Sequence, residues 1–223
     1  LKGADRGSVG KIIALAKERG VPVKDAAAQK LDALCGGVVH QGVAAMAACH
    51  DFSTMEDIFA KAGDQPPFVI ICDNIEDPHN LGAIIRTAEA AGAHGVIIPK
   101  RRGVGLTATV AKTSAGAVEY MPVVRVANIV STIEELKQKG LWIFCADMDG
   151  KPWCSADMGG PIGIVVGAEG SGVSRLTKEH CDFVVSLPMN GQVNSLNASV
   201  AAAIVIYEAV RQRSGLPAFT SNK

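Results

Sequence analysis

The spacing of apolar positions changes character near residue 65. Before it, IIALAKERG at 12–20 and AAAQKLDALC at 26–35 carry helical spacing, VPV at 21–23 reads as a short strand, and VAAMAAC at 43–49 reads as a strand-like run after Gly36 and Gly37. The stretch from Thr54 to Pro67 is polar and helical and ends in a Pro-Pro pair, which suits a link to the next unit. Beyond Pro67, compact apolar runs recur at short intervals. FVIICD (68–73), GVIIP (95–99), MPVVRV (121–126), LWIFCAD (141–147), PIGIVVG (161–167) and DFVVSL (182–187) read as strands. LGAIIRTAEAAG (81–92), TATVAKTSAG (107–116) and NIVSTIEELKQKG (128–140) read as helices between them, the last with Gly140 as its C-cap. A strand, a helix and a strand within about 30 residues make a parallel unit. The pattern therefore predicts a small α/β module over 1–65, cut at its front, and a larger parallel α/β domain over 66–223. The last element, NASVAAAIVIYEAVRQR at 197–213, is apolar nearly all round and predicts a helix that is deeply buried or held in an oligomer interface.

Composition narrows the function classes. With 48% hydrophobic residues in 223, the chain can bury a full core, and with 4% aromatics that core is aliphatic. Lys+Arg and Asp+Glu both number 22, so no global field points to a nucleic acid, and any such contact must use local patches. Lys100, Arg101 and Arg102 form the clearest one, with Lys137, Lys139, Arg175, Lys178, Arg211 and Arg213 as further candidates. The six cysteines show no CxxC, and the pairs Cys49-His50 and His180-Cys181 have no second pair at zinc spacing, so no metal site and a reducing, cytoplasmic setting are expected. No apolar stretch reaches the roughly 18 residues of a membrane span. The chain opens at Leu1 without a secretory signal.

Three polar, glycine-bearing strings stand at the ends of apolar runs: NIEDPHNLGAIIR from Asn74 to Arg86, GAEGSG from Gly167 to Gly172, and NGQVNSLNAS from Asn190 to Ser199. A parallel α/β fold puts its ligand site at the carboxyl ends of its strands, so the three together predict one site. Each also has a purely structural reading. Asn80 and Asn197 suit helix N-caps, Arg86 suits a solvated surface, and the glycines at 167, 170 and 172 suit a tight turn. Against that, Glu169 is out of place in a phosphate cradle and favours a ligand with cationic or hydroxyl groups. The amides and hydroxyls of Asn190, Asn194, Ser195, Asn197 and Ser199 would be costly to bury unpaired. The spacing matches neither the dinucleotide fingerprint nor a P-loop, and DNIEDPHN after the first strand argues against a nicotinamide enzyme.

Asn80, Gly82 and Arg86, then Gly167, Glu169 and Gly170, then Ser195, Asn197 and Ser199 resemble, in order and spacing, the three motifs of the SpoU (TrmH-type) family of RNA ribose 2′-O-methyltransferases. The resemblance covers 68–213. The stretches PKRRGVGLTATVAKTSAGAVEYMPV and RLTKEHCD are similar to bacterial 23S rRNA guanosine 2′-O-methyltransferases, and HQGVAA (40–45) looks like the end of that group's RNA-binding domain, which resembles ribosomal protein L30e. The resemblance implies a SPOUT-class parallel sheet with a C-terminal trefoil knot, preceded by a partial L30e-like α/β domain. It further implies S-adenosylmethionine as cofactor, RNA as partner (rRNA before tRNA), and a homodimer whose two subunits shape the site. It assigns catalysis to Arg86, Asn80, Glu169, Ser195 and Asn197. It assigns the cofactor to Ser114, Ala115, Gly116, Val166, Gly167, Ala168, Glu169 and Gly170, and then to Leu187, Met189, Ser195, Leu196 and Asn197.

The implied reaction passes a sulfonium methyl to a ribose 2′-hydroxyl, which must be oriented and relieved of its proton. A guanidinium stays protonated in proteins, so Arg86 reads as a clamp on the adjacent phosphate rather than as the base. A tRNA methylase of the same family and a catalytically silent RNA-binding homologue remain as alternatives; a silent homologue is expected to have lost Arg86 or Asn197, and both are present.

Overall fold

The computed structural model describes residues 7–36, 39–45, 50–193 and 195–217. The chain divides into two compact units, Leu1–Ala48 and Cys49–Lys223.

The described part of the first unit contains helices α1 (Ser8–Glu18) and α2 (Ala28–Leu34). The short strand expected at 21–23 does not form; that segment has no regular secondary structure. Residues 43–45 of the expected strand-like run are likewise irregular, and 46–49 lie outside the described residues. Strands need neighbours to satisfy their backbone groups, and among the described residues none is offered here. Among the described residues of this unit Leu31 is the buried apolar one, while Ile12 and Leu15 are both 48% exposed.

Residues 49–65, which the sequence pattern groups with the first unit, fall in the second. Helix α3 (Met55–Ala62) starts in a capping box between Thr54 and Asp57, and its Ile58 is fully buried. That side chain fills the space left by Gly95, where a Cβ would stand 2.4 Å from Ile58.

The second unit is a six-stranded sheet in the order β3-β2-β1-β5-β4-β6. Its strands are β1 (Phe68–Asp73), β2 (Gly95–Pro99), β3 (Val123–Val126), β4 (Trp142–Pro152), β5 (Ile162–Gly167) and β6 (Phe183–Ser186), and every pairing is parallel. Parallel neighbours require crossovers. These are supplied by α4 (Pro78–Ala90), α5 (Ala108–Thr113), α6 (Ile129–Gln138) and α7 (Arg175–Glu179), with α8 (Ala198–Arg213) closing the chain.

The period-two alternation along β1 divides the core. Phe68, Ile70 and Cys72 pack on one face with α4, α5 and α8, while Val69 and Ile71 pack on the other with Ile58, Ile133 and Leu136. A strand buried on both faces must be apolar throughout, as FVIIC is. Burial also pushes the Cys72 thiol up to about 12, so it stays a protonated core group.

Two boundaries move in ways that matter for the site. Helix α4 begins at Pro78 with Asp77 as N-cap, three residues before the expected start at Leu81, so Asn80 lies inside the first turn and Arg86 in the third. Strand β4 runs five residues past the expected end at 147, to Pro152, with a register shift against β6 between Ala146 and Lys151. The bulge re-aims the residues after Ala146.

Candidate functional site

The strand order turns around between β1 and β5. The chain moves outward from β1 through β2 to β3, then returns to the other side of β5. Asp73 and Gly167, the last residues of β1 and β5, are register partners, so a crevice opens beyond them. The loop after β5 is folded back tightly: a Cβ on Gly167 would stand 2.1–2.3 Å from backbone atoms of Gly172 and Val173. Gly170 and Gly172 have φ of 84° and 66°, which side-chain-bearing residues rarely adopt. Buried Asp73 anchors the loop by accepting the Ser174 backbone N–H at 2.8 Å.

The three strings converge on one hydrogen-bonded cluster. Asn80 Nδ2 donates to Glu169 Oε1 at 3.0 Å, and Asn197 Nδ2 donates to Asn80 Oδ1 at 2.9 Å and also to Glu169 Oε1. The Ala198 N–H is 3.4 Å from the same carboxylate oxygen. Asn197 is at once the N-cap of α8, its Oδ1 accepting the backbone N–H groups of Ser199 and Val200 and the Ser199 hydroxyl. The capping role expected for Asn197 is thus real, whereas that for Asn80 is taken by Asp77, leaving the 5%-exposed Asn80 amide for the cluster.

Beside the cluster lies a pocket of about 300 Å³, within the range of small-ligand sites. Val166, Gly167, Ala168, Glu169 and Gly170 form one wall, and Leu187, Met189, Ser195 and Leu196 form another. Nine of the residues expected to hold the cofactor therefore meet there. Ser114, Ala115 and Gly116 do not line it. They end α5 against α4, where Gly82 allows the approach: a Cβ there would be 1.9 Å from Thr113 Oγ1. Asn197 reaches the pocket through Glu169 rather than lining it. Arg86 stands apart. It is exposed and has no hydrogen bond or ion pair among the described residues. Six residues beyond Asn80 means roughly 9 Å along the axis and about 240° around it, so the two lie on different faces of α4. Asn194 lies outside the described residues.

Sequence reasoning missed Asp147 and Met148, which line the pocket from the bulged part of β4. Asp147 Oδ1 accepts from Lys178 Nζ at 2.9 Å, and Lys178 also donates to Asp149 at 2.8 Å. These two carboxylates hold the Lys178 ammonium well above its usual range. Among the described residues the lining contains the carboxylates of Asp147, paired with Lys178, and Glu169, so it suits a ligand with positive charge or hydroxyl donors. Apolar Leu187, Met189 and Leu196 suit a flat ring. The only signal for Asp147 was a strand end at the carboxyl rim, and the predicted strand stopped on it.

The basic candidates separate. Lys137 pairs with Asp182 at 2.9 Å, Arg175 with Glu179 at 2.8 Å and Arg211 with Glu208 at 2.7 Å. Arg213 donates to the carbonyls of Pro66, Pro67 and Gly160, and Lys139 lies 5.0 Å over the Phe59 ring. Lys137, Lys178, Arg211 and Arg213 hold the fold together, whereas Arg175 and Lys139 stay exposed. Lys100, Arg101 and Arg102 are exposed and make no ion pair among the described residues.

Comparison with known proteins adds the family. Residues 67–207 match the SpoU rRNA Methylase family, and residues 1–52 match the RNA 2′-O ribose methyltransferase substrate-binding family. The chain is similar to YacO of Bacillus subtilis, described within the TrmH family of tRNA/rRNA methyltransferases: 46% identical over 212 residues, covering 94% of this chain and 85% of YacO. It is 46% identical over 204 residues to the 23S rRNA (guanosine-2′-O-)-methyltransferase RlmB of Ralstonia nicotianae, covering 91% and 82%. Among solved structures, the SpoU methyltransferase AviRb of Streptomyces viridochromogenes in complex with AdoMet matches with a TM-score of 0.68 at 27% identity, over 92% of this chain and 88% of that one. Another AviRb structure matches with a TM-score of 0.63 at 33% identity, over 69% of this chain and 62% of that one.

Proposed function

The chain belongs to the SpoU rRNA Methylase family, and we propose that it methylates the ribose 2′-hydroxyl of a guanosine in 23S rRNA with S-adenosylmethionine held in the pocket behind Glu169. The observation that carries this reading is the junction of Asn80, Glu169 and Asn197, brought together across 89 and 117 positions at the edge of that pocket. The likeness to RlmB supports the ribosomal acceptor.

S-adenosylmethionine, when bound, supplies an electrophilic methyl: its S–CH₃ bond breaks as the O–CH₃ bond forms, and sulfur keeps the bonding pair. The chain's residues do the positioning. The Gly167–Gly172 loop and the Leu187 and Leu196 walls would hold the adenosine, and Asp147 and Glu169 would offer acceptors to hydroxyls and to positive charge. Asn80 and Asn197 donate to Glu169 and hold its carboxylate in place. Ser195, exposed at the pocket edge, is available to the ribose. Arg86 clamps the phosphate beside the acceptor and stabilises the oxygen as its proton passes to solvent water; a guanidinium is not the base. Because Arg86 lies outside its own chain's pocket lining, this reading includes a homodimer in which each Arg86 serves the other pocket. The exposed Val200, Ile204 and Tyr207 on α8 support such an interface. The trefoil knot belongs to the same reading, as the chain path that seats the 187–197 segment against the 167–174 loop.

The test is transfer of a labelled methyl from S-adenosylmethionine to total rRNA and, separately, to total tRNA, followed by alkaline hydrolysis. Label in alkali-resistant dinucleotides from rRNA is the expected result. Label from tRNA alone keeps the reaction and replaces the acceptor, and no transfer to either overturns the reading.

A further inference from the structure

Phe52 and Arg125 form a stacked plate at the outer edge of the sheet. Ser53 runs parallel to β3, bridging to Val124 and donating its N–H to the Val123 carbonyl at 2.9 Å, which delivers Phe52 beside Arg125. The Arg125 guanidinium carbon lies 5.3 Å from the centre of the Phe52 ring, and Arg125 Nη2 donates to the Lys100 carbonyl at 2.9 Å, which fixes the plane. Both side chains remain open to solvent, Phe52 at 37%. An exposed ring joined to an immobilised guanidinium suits a flat, anionic ligand with a π face.

The surroundings fit that ligand. The exposed cations Lys100, Arg101 and Arg102 leave β2 at its carboxyl end, next to the plate. Their loop is tied to the first string, because the Val104 N–H donates to the Ile75 carbonyl at 2.9 Å, just before the α4 turn that carries Asn80. β3 is three strand spacings from β5 and four from β4, whose ends line the pocket, so the plate lies roughly 14–19 Å away along the same carboxyl rim. Of the other candidate cations of this unit, Lys137, Lys178, Arg211 and Arg213 are held by carboxylates or backbone carbonyls.

We infer that this rim is a subsite for single-stranded RNA on the strand that carries the acceptor nucleotide, with Lys100, Arg101 and Arg102 taking phosphates and an unpaired base stacking on the Phe52–Arg125 plate. The inference rests on the methyltransferase reading for the direction in which the strand runs, and on the rim's own chemistry for the contact. Paired bases in an A-form helix have no free face to offer, so a duplex forgoes the stacking part of the site.

The test is fluorescence anisotropy of a labelled single-stranded oligouridylate, and of the same strand annealed to oligoadenylate, over a salt series. Phe52→Ala and Arg125→Ala are expected to weaken the single strand by about five- to hundredfold and the duplex far less. Phe52→Tyr should restore binding. R101A and R102A should lower the salt slope by about 0.7 for each phosphate they no longer neutralise. S-adenosylmethionine affinity should stay at the wild-type value in all of them. Wild-type oligouridylate affinity in both Phe52→Ala and Arg125→Ala overturns the inference, as does equal weakening of strand and duplex. A protein that binds the strand through Phe52 yet methylates no RNA overturns the methyltransferase reading and leaves this subsite standing.

Discussion

The side-chain amide of Asn197 donates to Oδ1 of Asn80 at 2.9 Å, so the residue that starts the last helix is bonded to one in the first turn of α4. The other end of the same Asn197 side chain caps α8. Helix start and site geometry are therefore set by one residue.

Asn197→Asp separates those two functions. The cap acceptor is retained, but the donor facing Glu169 becomes a second carboxylate oxygen. Methyl transfer should fall at least tenfold with helix content unchanged, whereas Asn197→Ala should also lose about 0.5–2 kcal/mol of stability with the cap. Urea unfolding beside single-turnover methyl transfer distinguishes the two variants.

Arg86 is exposed and unpaired among the described residues, so Arg86→Ala should leave the melting temperature unchanged. Methyl transfer should be abolished while S-adenosylmethionine affinity stays close to wild type. Calorimetry of cofactor binding checks this, and parallel loss of both properties would show that Arg86 holds cofactor.

Asp147→Asn removes one of the two carboxylates that line the pocket, and with it the ion pair to Lys178. S-adenosylmethionine should weaken by roughly two- to fivefold. S-adenosylhomocysteine, which lacks the sulfonium charge, should weaken less. Competition binding with both ligands measures the difference.

Gly167→Ala drives a Cβ into the backbone of Gly172 and Val173, which has no flexible side chain to give way. The loop must open, at a cost of about 1–3 kcal/mol. Cofactor affinity should disappear while the far-ultraviolet spectrum of the sheet persists.

His94 is buried, and its Nδ1 accepts the Phe68 N–H at 2.9 Å, which requires a neutral ring. Burial, then the charges of Arg213 and Lys61, hold its pKa below the ordinary 6.5. The unfolded chain therefore takes up the proton first as pH falls. The contribution to stability is complete above about pH 6.5 and is lost as pH drops through the lower folded value. Melting temperatures between pH 8 and pH 5 should show this loss in the wild type and a flatter profile in His94→Asn, whose amide oxygen replaces the acceptor.

What the sequence determined by itself was the local periodicity and its punctuation. Runs such as FVIICD and PIGIVVG have one reading as strands buried on both faces, and the three polar strings announced a site at the strand ends. The family resemblance on Asn80, Glu169 and Asn197 agrees with the match over 67–207. Tertiary structure alone decided the rest. VPV at 21–23 is apolar enough for a strand, yet no neighbour among the described residues pairs with it. Ile58 joined the second unit because Gly95 left room for it. Asp147 entered the pocket because a bulge carried β4 past its predicted end, and Lys137, Lys178 and Arg213 were withdrawn from the surface by partners far away in the chain. Periodicity records which face of an element is apolar; it carries no information about which distant group a charge will meet, and that meeting decided which cations remain open to a ligand.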